Sequence, residues 1–176
     1  GFQTLKFNST GSNLSAFGNQ ALAANTTGSN NGAFGSSALT SNKTGTSNNA
    51  FGYFTLGSNV KGSSNVAFGD SALSANVVSN RNTAFGYNTL VNSDSDNNVA
   101  IGYAAGGTLT TGYANILLGA DVNFVSTLSA GSGNIGIGNE LIFPADTNNQ
   151  LNIGNFIYGT LPATSTTFQL PTSGSL

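Results

Sequence analysis

Asn65–Asn82, NVAFGDSALSANVVSNRN, is the stretch on which the fold turns, because the chain repeats it. Its Ala67-Phe68-Gly69 centre recurs as Ala16-Phe17-Gly18, Ala33-Phe34-Gly35, Ala50-Phe51-Gly52 and Ala84-Phe85-Gly86, each step being 17 residues. Looser copies follow at Ala100-Ile101-Gly102, Leu117-Leu118-Gly119, Gly136-Ile137-Gly138 and Asn152-Ile153-Gly154. A fixed period of this size is the mark of a stacked array in which each repeat covers its neighbour.

Three columns run through the repeats. Glycine stands at 18, 35, 52, 69 and 86 and continues to 154; leucine stands at 22, 39, 56, 73 and 90; asparagine stands at 31, 48, 65, 82, 98, 115 and 134. Gly11, Gly28, Gly45 and Gly62 form a second glycine column that Ser79 interrupts. A helix is excluded by the Gly and Asn content and by the lack of an i, i+3, i+4, i+7 apolar stripe. Strands fit, since in Val66-Ala67-Phe68 the outer two residues share one face and the alanine takes the other.

The fold expected is therefore all-β: a parallel β-solenoid, or β-roll, of about 17 residues per coil, with two short strands and two turns in each. The array spans residues 1–159, becoming irregular from about 106, and residues 160–176, rich in Pro, Ser and Thr, read as an extended tail or linker. Coil Asn149–Gly159 is apolar enough to close the array. Phe17, Phe34, Phe51, Phe68 and Phe85 are expected to fill a narrow interior, with Leu22, Leu39, Leu56, Leu73 and Leu90 meeting them from the second strand. The alanine column then faces outward, either toward sister chains or toward solvent. Gly18, Gly35, Gly52, Gly69 and Gly86 mark a bend where φ > 0 or close stacking forbids a Cβ. Stacked asparagine amides are expected to hydrogen-bond along their column.

Composition limits what the chain does. Four Lys and Arg against six Asp and Glu, a net charge of −2, provide no basic patch, so nucleic acid is not an expected partner. No run approaches the ~20 apolar residues of a membrane span, and Gly1-Phe2-Gln3 does not begin a signal peptide. Without His or Cys the commonest bases, nucleophiles and metal ligands are missing, and no enzyme activity or cofactor is expected. Asp94-Ser95-Asp96-Asn97-Asn98 has the D-x-D-x-N opening of a calcium loop but lacks its glycine and distant glutamate, so Asp94, Asp96 and Asn98 make only a weak metal candidate. Asn8, Asn13, Asn25 and Asn42 begin Asn-x-Ser/Thr triplets that this composition produces by chance.

The residue after each column glycine varies, which places it on the surface. There Tyr53, Tyr87 and Tyr103, with Phe54 beside the first, are the candidate binding ridge for sugar or protein, each ring offering a flat apolar face and each tyrosine a hydroxyl.

Several of these stretches resemble a known family. Asn65-Val66-Ala67-Phe68-Gly69 and Asn98-Val99-Ala100-Ile101-Gly102 are similar to the head repeats of YadA-like trimeric adhesins. Asn82–Leu90 (NTAFGYNTL), Asn25–Asn31 (NTTGSNN) and the closing Asn149–Asn155 (NQLNIGN) resemble repeats of phage tail fibres. The resemblance covers residues 1–159. It implies a left-handed β-roll of three identical chains, a rigid shaft or head in an extracellular virion appendage that meets a glycan or protein receptor on a host cell. Other segments of a longer fibre would be its neighbours, as the mid-repeat start at Gly1 suggests, and an end at Leu176 would fit release of a self-cleaving chaperone. The alternative it implies is the head of a bacterial trimeric autotransporter adhesin, whose repeat is usually shorter. Two further readings, an ice-binding solenoid and a glycan-degrading spike, would require a regular outward threonine ladder and paired acids respectively.

Overall fold

The computed structural model describes residues 1–124, 130–143 and 147–160. It is a parallel β-solenoid of about eight turns. Seven coils in succession each contribute one three-residue strand: β1 Ser15–Phe17, β2 Gly32–Phe34, β3 Asn49–Phe51, β4 Val66–Phe68, β5 Thr83–Phe85, β6 Val99–Ile101 and β7 Ile116–Leu118. The sheet continues through β9 Ile135–Ile137 and β11 Gln150–Ile153, all in parallel register, so that Ala33 lies over Ala50 and Phe34 over Phe51. Between them β8 Asn123–Phe124 and β10 Ile142–Phe143 form a separate two-stranded parallel sheet. β12 Ile157–Thr160 turns back antiparallel on β11 and is the last strand of the ladder among the described residues. The expected tail from 161 onward lies outside the described residues.

In the regular 17-residue coils the expected second strand is not formed; among the described residues only β8 and β10 of the C-terminal coils supply one. Leu22, Leu39, Leu56, Leu73 and Leu90 instead sit in a turn with φ of 50–52°, two residues after another left-handed position such as Gln20 or Ser71. That conformation costs a non-glycine residue energy. It persists because each turn amide donates to the coil beyond: Leu22 N to Ala38 O at 3.0 Å, Leu39 N to Thr55 O at 3.0 Å and Leu73 N to Thr89 O at 3.0 Å. The leucine side chains are fully buried, as expected of the column, though not against phenylalanine.

The two faces of the strand are the reverse of the sequence expectation. Ala33, Ala50, Ala67, Ala84 and Ala100 are 0–1% exposed and pack with the leucines, whereas Phe17, Phe68 and Phe85 are 64%, 47% and 51% exposed. A coil of this length closes on a lumen too thin for a ring and a leucine together. Alanine fits because adjacent coils stack at about 4.8 Å, the spacing of neighbouring strands. The C-terminal coils obey the same volume rule with other residues. Leu117 enters the alanine column where Gly106 has replaced leucine, and a Cβ on Gly106 would lie 2.7 Å from Leu90 Cδ2 and 3.1 Å from Leu117 Cδ1. Gly136 likewise leaves room for Val122 and Phe143, whose atoms lie 2.7 and 2.8 Å from where its Cβ would be.

Two asparagine ladders line the interior. In the first, the expected one, each side-chain oxygen accepts the backbone N–H of the next asparagine, as Asn65 N to Asn48 Oδ1 at 3.0 Å. Each amide nitrogen donates to the corner carbonyl of the following coil, as Asn48 Nδ2 to Gly62 O at 2.7 Å. The second ladder, Asn8-Asn25-Asn42-Asn59-Asn76, links amide to amide at 2.7–2.8 Å. Asn25 and Asn42, which head two of the glycosylation-like triplets, are thus fully buried. Buried amides left unpaired would each cost about 1–3 kcal/mol, so the ladders stabilise the stacking only when in register.

The column glycines do as expected. Gly18, Gly35, Gly52, Gly69 and Gly86 have φ of 127–140°. A Cβ at Gly69 would overlap the carbonyl of Gly86. Gly69→Ala is expected to lose at least about 2 kcal/mol of stability in urea denaturation, whereas Ser71→Ala, in the adjoining turn, is expected to lose less than half as much.

Candidate functional site

With the interior filled by alanine, leucine and asparagine, the outer face of the main sheet carries the aromatic column. Phe17, Phe34, Phe51, Phe68 and Phe85 stack along it with ring centroids 4.7–5.3 Å apart and planes within 21° of one another. Ile101, Leu118, Ile137 and Ile153 continue the line. Beside it runs the other outward column, polar at Ser15 and Asn49 and apolar at Val66, Val99 and Ile116. The result is an apolar stripe, nine parallel strands long, or roughly 40 Å at ~4.8 Å per strand. It widens toward the C-terminal coils as the second column turns aliphatic.

The tyrosine column lies at the turn that follows each glycine. Tyr53, Tyr87 and Tyr103 are 58%, 50% and 56% exposed. They do not form one ridge. Tyr87 and Tyr103 stack at 5.6 Å and 14°, so each ring covers one face of the other. Tyr53 stands apart, separated from Tyr87 by Asp70, whose Oδ1 accepts the Tyr53 N–H at 2.8 Å. Phe54 is half-buried and tilted 39° to Tyr53 at 6.3 Å. Stacking along the axis turns the tyrosine edges and hydroxyls outward, which suits hydrogen bonding better than face-on contact.

The third candidate, Asp94-Asp96-Asn98, is not a convergent ligand set. Asn98 is buried in the first ladder, donating to Gly112 O at 3.0 Å. Among the described residues no three His, Cys, Asp or Glu side chains gather closely enough to hold a metal. Asp94 has another task, which arises from a deletion. Two residues separate Asn76 from Ser79, but only one separates Ser93 from Ser95 in the next coil. In the regular coils the residue after the ladder asparagine supplies a carbonyl that accepts several amides at once: Thr26, Thr27 and Gly28 to Lys43 O, and Val60 and Lys61 to Val77 O. In the shortened coil the Asp94 carboxylate takes that place. Its Oδ1 accepts Val77 N at 2.9 Å, Val78 N at 3.2 Å and Ser79 Oγ at 2.9 Å.

The same shortening ends the second ladder. Ser93 stands where the next asparagine would be, and Asn76 Oδ1 is left buried with no protein partner. Ser93 also removes the amide that crowds each regular corner glycine, as Asn76 Nδ2 would lie 2.8 Å from a Cβ on Gly62. That relief accompanies the change from glycine to Ser79. Asp96, beside it, accepts Asn80 N at 2.8 Å and pairs with Arg81 at 3.3 Å on an exposed rim, where an ion pair contributes little.

Comparison of the chain with protein-family models, with curated proteins and with solved structures finds no match. The surfaces themselves thus carry the functional argument.

Asp94→Ala is expected to destabilise the fold by roughly 1–2 kcal/mol, the loss of an acceptor shared by two amides and a hydroxyl. Asp94→Asn keeps an oxygen there and is expected to lose less than half of that. Equal losses in paired urea titrations would show that the charge, not the acceptor, matters.

Proposed function

We propose that this chain is a structural segment of a virion appendage, a self-associating β-solenoid shaft or head through which a phage tail fibre meets its host. The observation that carries it is the stacked phenylalanine stripe on the outside of a solenoid whose interior is already full. A stripe of roughly 40 Å by ~10 Å reaches the size at which exposed apolar patches on soluble proteins mark interaction sites.

A second copy of the chain is the occupant that fits. The stripe follows the in-register stack of strands, so copies lying parallel place the same rung beside the same rung. The phenylalanines of one copy then meet those of the others at every level, and aromatic edges pack onto aromatic edges. An unrelated globular partner would have to match a uniform face nine strands long. Three copies is the number that the resemblance to tail-fibre and adhesin-head repeats implies. That resemblance also supports host attachment, with the tyrosine hydroxyls and the turn surfaces left outermost once the apolar stripes face one another.

Sedimentation equilibrium is expected to give a mass near three times the 17.7 kDa of one chain. Phe68→Asp combined with Phe85→Asp is expected to return it to the single-chain mass with the β-sheet circular dichroism retained, since both rings stand outside the coil. A wild-type chain that sediments as a folded monomer at micromolar concentration would refute self-association.

A further inference from the structure

Beside the shortened turn lies an open cleft of about 410 Å³. Buried Ser79 and Ser95 line it together with half-buried Asp96 and exposed Asp94, Asn97, Thr111 and Tyr113. We infer that this cleft is a binding subsite for a neutral saccharide, the Tyr113 ring serving as the platform for one pyranose unit.

The inventory of free valences leads there. Asp94 Oδ1 is saturated by its three donors, while no described residue donates to Oδ2. Asn97 Oδ1 accepts Arg81 Nε at 2.7 Å, which fixes the amide and leaves its Nδ2 as a donor. Both Asp96 oxygens are engaged, one by Asn80 N and the other by Arg81 Nη2. No described residue pairs with the hydroxyls of Thr111 or Tyr113. One acceptor, one donor and two hydroxyls thus border an aromatic ring that is 59% exposed. Unlike Tyr87 and Tyr103, Tyr113 has no aromatic neighbour stacked on it among the described residues, so a face is open to the apolar C–H surface of a sugar while the polar groups meet its hydroxyls.

Charge and valence narrow the ligand class. Asp94, Asp96 and Arg81 sum to −1, and the one carboxylate oxygen without a donor belongs to an acid, so a sialic or uronic acid would meet repulsion. A calcium ion takes six to eight oxygens, and Asp94 Oδ2 with two hydroxyls is a poor set for it. A neutral polyhydroxylated ring has neither difficulty. This inference deepens the attachment reading, on which its biological use rests, but the chemistry of the cleft does not require self-association.

Amide ¹H–¹⁵N spectra of the whole chain, titrated with methyl α-glucopyranoside, methyl β-galactopyranoside and N-acetylglucosamine, test it. At least one of these is expected to shift the Asp94–Asn97 and Tyr113 resonances saturably, whereas glucuronate and calcium chloride are not. Tyr113→Ala is expected to weaken that response about tenfold, and Thr111→Val to weaken it less, each with the remaining spectrum unchanged. The site is overturned if no neutral glycoside moves these amides, if the shifts fall on the Tyr53, Tyr87 and Tyr103 turns instead, if calcium alone produces them, or if Tyr113→Ala leaves them intact. A monomer that binds sugar here would refute the fibre reading and keep the cleft; an assembled oligomer indifferent to every neutral glycoside would do the opposite.

Discussion

In-register stacking is the constraint from which the rest of this structure follows. Each coil must satisfy its backbone through the coils above and below it, because with one three-residue strand per turn it has almost no regular structure of its own. Like therefore lies over like at about 4.8 Å, and a residue type is acceptable in a column only if it tolerates itself as neighbour. Alanine and leucine do so by size. Asparagine does so by chemistry, since an amide both donates and accepts and can pass a hydrogen bond from coil to coil without water. Glycine occupies the corners where successive backbones approach too closely for any Cβ.

Small irregularities obey the same constraint and show how it is met when a column changes. Leucine enters the alanine column at 117 only where glycine has entered the leucine column at 106. Serine enters the glycine corner at 79 where serine has replaced the asparagine of the following coil at 93, and the carboxylate of Asp94 then takes over from a backbone carbonyl. The first asparagine ladder runs on through both exchanges, whereas the second ends at Asn76. Solenoids permit such exchanges because every repeat contacts only its neighbours.

Much of the architecture was legible in the sequence. The period, the glycine bends and the first asparagine ladder follow from columns that can be read by eye, and all three are found in the structure. The assignment of inside and outside was not legible from hydrophobicity, which favours burying phenylalanine over alanine. A strand's alternation says which residues share a face but not which face the coil closes upon. The deciding quantity is the width of the lumen, set by left-handed turns at positions such as Gln20 and Leu22, and leucine at positive φ is not something propensity suggests. The second ladder was visible as asparagine at 8, 25, 42, 59 and 76, hidden by its overlap with apparent glycosylation triplets. The task of Asp94 was signalled too, by the one-residue shortening between Ser93 and Ser95 rather than by the calcium-like D-x-D-x-N pattern. The tyrosines are exposed as expected, but that Tyr87 and Tyr103 stack while Tyr53 stands apart depends on which rung carries Asp70, a matter of register and not of composition.

The outward phenylalanines bear on how such a chain stays folded. An interior of alanine, leucine and amides buries little apolar surface for the number of residues it orders, and the conformational cost of ordering them is paid by every coil alike. The apolar surface that would offset it most effectively lies outside, on the stripe. If copies of the chain cover that stripe, as proposed, folding and assembly draw on the same burial, and stability becomes a function of chain concentration. The regular spacing of the rings then has a second consequence. Because every level of the stripe is nearly equivalent, a slip by one coil costs little at the phenylalanines themselves. Correct alignment between copies must come from the places where the repeat is broken: the change from ring to Ile101, the aliphatic broadening at Val99 and Ile116, and the antiparallel return of β12. On that view the decay of regularity toward the C-terminal coils is what gives an otherwise uniform face a single register.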